Sequence, residues 1–238
     1  MSRHGKNYRI AAAQLESDEP RDPKQAIDLL KQYATARFDE TFELHMRMGV
    51  DPRHADQMVR GVVVMPRGTG KTVRILVFAD GDAVEIAKEA GADHVGLDDM
   101  IAQIQGGWVD FDMAIAVPSA MGKVGRLGKV LGPRGLMPSP KSGTIVQPGE
   151  IKRVIEEARK GRVEYRVDKT ANIHIAFGKR SFETDALMEN LGAAVDSVLR
   201  NKPSASKGTY IRKAFLTTTM TPAVRVDVNA LAAIRSLA

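Results

Sequence analysis

Residues 73–117, VRILVFADGDAVEIAKEAGADHVGLDDMIAQIQGGWVDFDMAIAV, interrupt an otherwise different pattern in this 238-residue chain. Val73–Phe78 reads as an apolar strand. Asp82–Ala90 has the periodicity of an amphipathic helix and stops at Gly91, Leu97–Gln105 reads as a second helix stopped by Gly106 and Gly107, and Asp112–Val117 as another buried strand. This alternation of strands and helices predicts a parallel, three-layer, Rossmann-like α/β unit, with Pro148–Lys160 as a closing helix and Gly161 as its C-cap.

The segments on either side follow a two-residue period instead. In Thr41–Met48, Phe42, Leu44, Met46 and Met48 alternate with Thr41, Glu43, His45 and Arg47, the signature of a half-buried strand. Gly61–Met65 reads as a second strand. Beyond Gly161, Val163–Val167 and Asn172–Phe177 suggest a hairpin around Asp168–Ala171. A helix over Thr184–Arg200 follows, with Leu187, Leu191, Val195 and Val198 on one face, and then strands over Tyr210–Thr219 and Ala223–Val228. The expected fold is therefore α/β overall: a split, two-layer α+β domain with an antiparallel sheet (1–68 and 161–238), and an inserted α/β domain (69–160). The two Gly-containing crossings, Arg67–Lys71 and Lys160–Arg162, suit a hinge, and a rigid pair of domains is the alternative.

Composition narrows the function classes. The chain is 43% hydrophobic, enough for a core, and holds no apolar run long enough to span a membrane. The opening MSRHGKNYRI lacks the apolar stretch of a signal peptide, so a cytoplasmic location with no membrane partner is expected. Without cysteine there are no disulfides, thiolate zinc sites or thiol nucleophiles. His4, His45, His54, His94 and His174 have no metal-ligand spacing, and no acid, base and nucleophile converge in the sequence. No metal, cofactor or catalytic residue is expected.

The net charge is +6, from 35 Lys and Arg against 29 Asp and Glu. Residues 70–160 hold 12 of each sign, so the flanking segments, with 23 and 17, carry the whole surplus. A basic surplus favours nucleic acid as a partner, although a solvated surface can give the same total.

Leu127–Thr144, LGKVLGPRGLMPSPKSGT, combines four glycines, three prolines, Lys129, Arg134 and Lys141. It predicts a large basic loop, with Lys123 and Arg126 just before it, suited either to a polyanion or to a mobile surface. Gly68-Thr-Gly-Lys-Thr72 imitates the end of a phosphate-binding P-loop, but that pattern needs Gly where Met65 stands and a helix after Thr72. The glycines at 122, 125, 128, 132 and 135 lack the G-x-G opening of a dinucleotide site.

Read together with DMAIAVPSAMGKVG (112–125), KGRVEYRVDKTANIHIAFGK (160–179) and FLTTTMTP (215–222), the stretch resembles the large-subunit ribosomal protein L-one family. Its members belong to the mobile side stalk beside the tRNA exit site. The similarity runs from about Ala36 to Val228. It implies a non-enzymatic structural constituent of the large ribosomal subunit, cytoplasmic on the ribosome. The implied role is to bind the stalk region of large-subunit rRNA, assist release of deacylated tRNA from the exit site, and repress its own mRNA. The implied partners are that rRNA, exit-site tRNA, its own mRNA and the rest of the large subunit.

The resemblance also implies RNA-binding residues. Arg37 offers phosphate charge, Phe38 a stacking plane, and Thr41, Thr217 and Thr219 small hydroxyls, with Met220 and Thr221 beside them. Asp168, Lys169 and Thr170 match a second family segment together with His174. The basic set Lys123, Arg126, Lys129, Arg134 and Lys141 follows in the second domain. Read without the family, Phe38 is equally a cap on the core, the threonines ordinary strand formers, Asp168-Lys169 a polar turn, and His174 a satisfied, partly buried residue. Thr221 departs from the family glycine, and a β-branched residue there resists conformations that glycine permits. An enzyme built on the middle unit and an RNA regulator outside the ribosome remain as rival classes. Gly5–Lys24 is polar, is expected to be flexible until a helix near Pro23, and receives no role.

Overall fold

The computed structural model describes residues 5–15 and 19–234. The chain has both antiparallel and parallel sheets and divides into two units, Met1–Gly70 with Lys160–Ala238, and Lys71–Arg159.

The first unit begins with a correction. Lys6–Leu15 is a helix (α1) rather than a flexible stretch, because Ala11 and Leu15, one turn apart, are buried in the unit's core. Residues 16–18 of the same expectation, like His4, lie outside the described residues. A second helix, Pro23–Tyr33 (α2), starts where the Asp22 carboxylate accepts the Lys24 N–H at 2.9 Å and proline takes the first position. Thr41–Met48 (β1) follows its alternation, with Phe42, Leu44, Met46 and Met48 inside. Arg60–Val64 is β2.

The second unit starts with Ile75–Phe78 (β3), all four residues buried. Next come Asp82–Glu89 (α3), His94–Gly96 (β4), Asp98–Gln105 (α4) and Met113–Ala116 (β5), and the three strands form a parallel sheet in the order β4-β3-β5. The Gly/Pro stretch is a loop only in part: Gly128–Leu131 (α6) is a one-turn helix, preceded by another at Met121–Val124 (α5), and Pro140–Ser142 is a 3-10 turn, while residues 132–139 are turns and coil. Val124, Leu127 and Leu131 recur at helical spacing and are fully buried, which outweighs the breaking tendency of the glycines. Ile151–Arg159 (α7) buries Ile151, Val154, Ile155 and Ala158, and Gly161 follows at φ +95°.

The chain then returns to the first unit through Arg162–Arg166 (β6) and Asn172–Lys179 (β7). The expected hairpin is corrected here. The tight turn over Asp168–Ala171 exists, with the Asp168 N–H donating to Asn172 O at 2.8 Å, but β6 pairs with β2 and β7 with β1. Apolar register explains the choice, since Leu44 lies opposite Ile175 and Met46 opposite Ile173. Thr184–Arg200 (α8), Ile211–Thr218 (β8), Val224–Val226 (β9) and Val228–Ala233 (α9) complete the unit.

The larger sheet has the order β7-β1-β8-β9, antiparallel throughout. Helices α2, α8 and α9 cover one side, where Phe42 and Phe177 meet edge to face at 5.8 Å. The other side presents Thr41, His45, Arg47, His174, Lys213 and Phe215, none of them buried. No helix among the described residues is long and apolar enough to cross a membrane.

Candidate nucleic-acid interface

Strand register decides which candidates meet. Thr41 lies opposite Lys179, Phe42 opposite Thr218 and Glu43 opposite Thr217, so residues 36–41 and 217–221 converge at one end of the sheet. Phe38 and Met220 stand out there, 52% and 59% exposed, although both are large and apolar. Phe38 therefore does not cap the core. Arg37 and Thr219 are exposed beside them.

The loops carrying these side chains are tied by polar groups. The Thr41 N–H donates to Thr219 Oγ1 at 3.0 Å, and Lys179 Nζ donates to Thr41 Oγ1 at 2.7 Å. Glu40 is fully buried. One of its oxygens accepts the Ala36 N–H at 3.0 Å, and the other accepts the Thr218 hydroxyl at 2.6 Å and the Met220 N–H at 3.1 Å. Sequence reading missed Glu40, because an acid preceding an alternating strand looks like any solvated loop residue.

Thr221 does not disturb the turn. Its hydroxyl accepts the Thr218 N–H at 3.1 Å, and its backbone carbonyl accepts the Thr217 hydroxyl at 3.1 Å. Among the described residues Ala171 is the sole non-glycine at positive φ, so no left-handed conformation is demanded of Thr221. A small polar side chain closes the turn from within.

The remaining candidates of the first unit lie along β1 or at its far end. That strand spans roughly 23 Å at ~3.3 Å per residue. Asp168 closes its turn by accepting Thr170 N–H and Oγ1 and Asn172 N–H, each at 2.8 Å. Burial pushes the Asp168 carboxyl up, but these donors and His174 outweigh it and hold it at about 2. Arg47 donates to Thr170 O, while Lys169 and Thr170 are exposed. Midway, His174 faces His45 across the ladder with Nδ1 to Nδ1 at 2.6 Å, one ring donating to the other. Burial first, then the neighbouring His174, lowers the His45 pKa, and Glu43 opposes them. Only the register, unavailable from sequence, could have paired His45 with His174.

The basic candidates of the second unit form a separate group. Residues 113–149 contain Lys123, Arg126, Lys129, Arg134 and Lys141 and no acid. All five are exposed, and Lys123 Nζ pairs with Asp98 at 2.7 Å.

The P-loop imitation has a structural explanation. Gly68 and Gly70 both sit at φ +71°, and Lys71 Nζ is held by Asp112 at 2.6 Å. That bond, opposed by burial and helped by Arg74, keeps the Asp112 carboxyl at about 2. Asn190 clamps the preceding residues: its Oδ1 accepts the Arg67 N–H at 2.9 Å, and its Nδ2 donates to Gly68 O at 2.8 Å. A Cβ on Gly161 would lie 2.8 Å from Thr69 N, so the two crossings touch backbone to backbone. Among the described residues no cluster of three or more His, Asp or Glu could hold a metal ion.

The model of the ribosomal protein L1p/L10e family matches residues 30–222. The chain belongs to that family. Curated members of similar sequence, each named large ribosomal subunit protein uL1, align over almost the whole chain. The one from Dehalococcoides mccartyi is 53% identical over 98% of both chains, and that of Chloroflexus aggregans is 53% identical over 97% of this chain and 98% of its own. The Thermobifida fusca relative is 52% identical over 96% of each. An L1p/L10e protein is a structural, non-enzymatic component of the ribosome, which removes the enzyme class left open by the sequence.

Proposed function

We propose that the open side of the four-stranded sheet, from the Phe38 and Met220 end to the turn at Asp168, binds the stalk region of large-subunit rRNA. The protein is a structural constituent of the large ribosomal subunit. The observation that carries the rRNA reading is the pair of large apolar side chains held out in solvent on loops fixed by hydrogen bonds. Such side chains give folded RNA a stacking and packing surface without ordering new backbone. Arg37, Lys169 and Arg47 are exposed and supply charge. The Thr41 and Thr219 hydroxyls each accept one bond within the protein and keep an O–H to donate to ribose or phosphate. His174 lies midway along the open side.

Two finer roles belong to the same proposal. The acid-free basic segment of the second unit contacts exit-site tRNA and assists its release when deacylated, with the crossings at 67–71 and 160–162 serving as the hinge. Protein not yet in ribosomes binds a copy of the rRNA site in its own mRNA and represses translation.

The test is a salt titration of binding to the large-subunit rRNA stalk fragment, beside a scrambled RNA of equal length and a Phe38→Ala variant. The expected preference for the stalk fragment is roughly a hundredfold, with tenfold or more of it lost in the variant, the scale of one base-stacking side chain. Equal, steeply salt-dependent binding to both RNAs would leave only a basic surface.

A further inference from the structure

Glu40 is a fully buried acid that touches no solvent and so cannot meet RNA itself. Its hydrogen-bond donors are all neutral: the Ala36 and Met220 N–H groups and the Thr218 hydroxyl. A carboxylate is costly to bury and is retained where donors surround it. These donors come from the loop before β1 and, far away in sequence, from the end of β8 and the turn after it. The β1–β8 ladder reaches only to the Phe42–Thr218 pair, so residues 36–40 and 219–221 lie beyond it. Apart from the Thr41 N–H to Thr219 bond, the Glu40 carboxylate is what joins them.

We propose that Glu40 is the positioning residue of the RNA interface. It holds the segment bearing Phe38 and the turn bearing Met220 in one arrangement before RNA arrives, so that neither loop loses freedom on binding. The inference rests on the rRNA reading above and adds to it a group that acts without touching RNA. It also distinguishes Glu40 from Asp39, whose carboxylate accepts the Ser181 N–H and hydroxyl at 3.0 and 2.8 Å on the exposed side of the loop.

Glu40→Gln keeps the volume but presents an acceptor at one end only. Whichever way the amide faces, its NH2 group meets either the Ala36 or the Met220 N–H, and one backbone donor loses its partner. Three measurements on the full chain decide the matter. Stalk-RNA affinity should fall by roughly tenfold or more, the scale of one lost buried hydrogen bond to a charged group. Amide exchange should accelerate at Ala36 and Met220 and stay unchanged at Leu44 within β1. In a double-mutant cycle, Phe38→Ala should cost less in the Glu40→Gln background than in the wild type, because a side chain already mispositioned has less to lose.

A merely structural acid would lower the unfolding midpoint while leaving the Phe38 effect additive, and that result overturns the proposal. Wild-type affinity in Glu40→Gln, with Phe38→Ala still damaging, overturns it while leaving the rRNA reading intact. Absence of any stalk preference in the wild-type protein overturns both. If Glu40→Gln does not fold, Thr218→Val removes a single donor from the same carboxylate and is read by the same cycle.

Discussion

Phe38 and Met220 project from loops braced by hydrogen bonds, whereas Arg126, Lys129 and Arg134 project from or beside one-turn helices braced by buried Val124, Leu127 and Leu131. Near the first pair the backbone is enclosed by side-chain donors and acceptors. Around the second group it is bare: a Cβ added at Gly122, Gly125 or Gly128 would meet nothing within 4 Å. Gly125 and Gly128 also have ordinary helical φ, −52° and −53°, so neither space nor conformation in the free protein calls for glycine there. Polar bracing ties the arrangement of a loop to a few specific bonds. Apolar bracing leaves the outer backbone free to vary, and the two regions should therefore fail in different ways.

The largest effect is expected where packing is the brace. Leu131→Ala should destabilise the second unit by about 2–5 kcal/mol, read in thermal or denaturant unfolding, and leave stalk-RNA preference intact below the transition. A loss of that preference would erase the contrast between the regions. Thr221→Val should come next. It removes the acceptor of the Thr218 N–H and should cost about 1–3 kcal/mol in unfolding, together with weaker RNA binding. An unchanged midpoint would mean that the turn is not braced from within.

Gly125→Ala sharpens the comparison from the other side. Alanine in a helical, unobstructed position should stabilise the chain by about 0.5–1 kcal/mol. If tRNA affinity falls in the same variant, a partner approaches that backbone closely. The smallest effect is set by pH. His45 titrates below its ordinary value of 6.5 in the folded chain, so between 6.5 and that lower value the unfolded chain binds more protons. Stability should decline as pH falls through this window and be flat above it, and His45→Gln should abolish the slope. A slope of opposite sign would mean that the His45–His174 pair is held protonated.

The fold was legible wherever one period dominates. Alternation in Thr41–Met48 and helical spacing in Thr184–Arg200 gave those elements their correct ends, because one-sided burial is written directly into the residue order. The short strand His94–Gly96 has no such pattern and emerged only through its parallel pairing with β3. Within the Gly/Pro stretch the helical turn Gly128–Leu131 was hidden because Leu127 and Leu131 are spread thinly among strong breakers, and α1 was hidden because two buried residues are a faint stripe. For the proposed interface, motif likeness pointed to Phe38, Met220 and the Asp168 turn, and the first two are exposed. Glu40 and His45 escaped it, since their importance lies in partners more than a hundred residues away along the chain.

The contact between Gly161 and Thr69 has a topological consequence. Seen from the first unit, residues 71–159 are one very long loop whose ends already touch. Closure entropy depends on the logarithm of loop length, changing by only about 0.6 kcal/mol per doubling, so bringing the two crossings together does not depend on the inserted stretch having any particular length. The second unit is in that sense an insertion at a point where the chain of the first already meets itself.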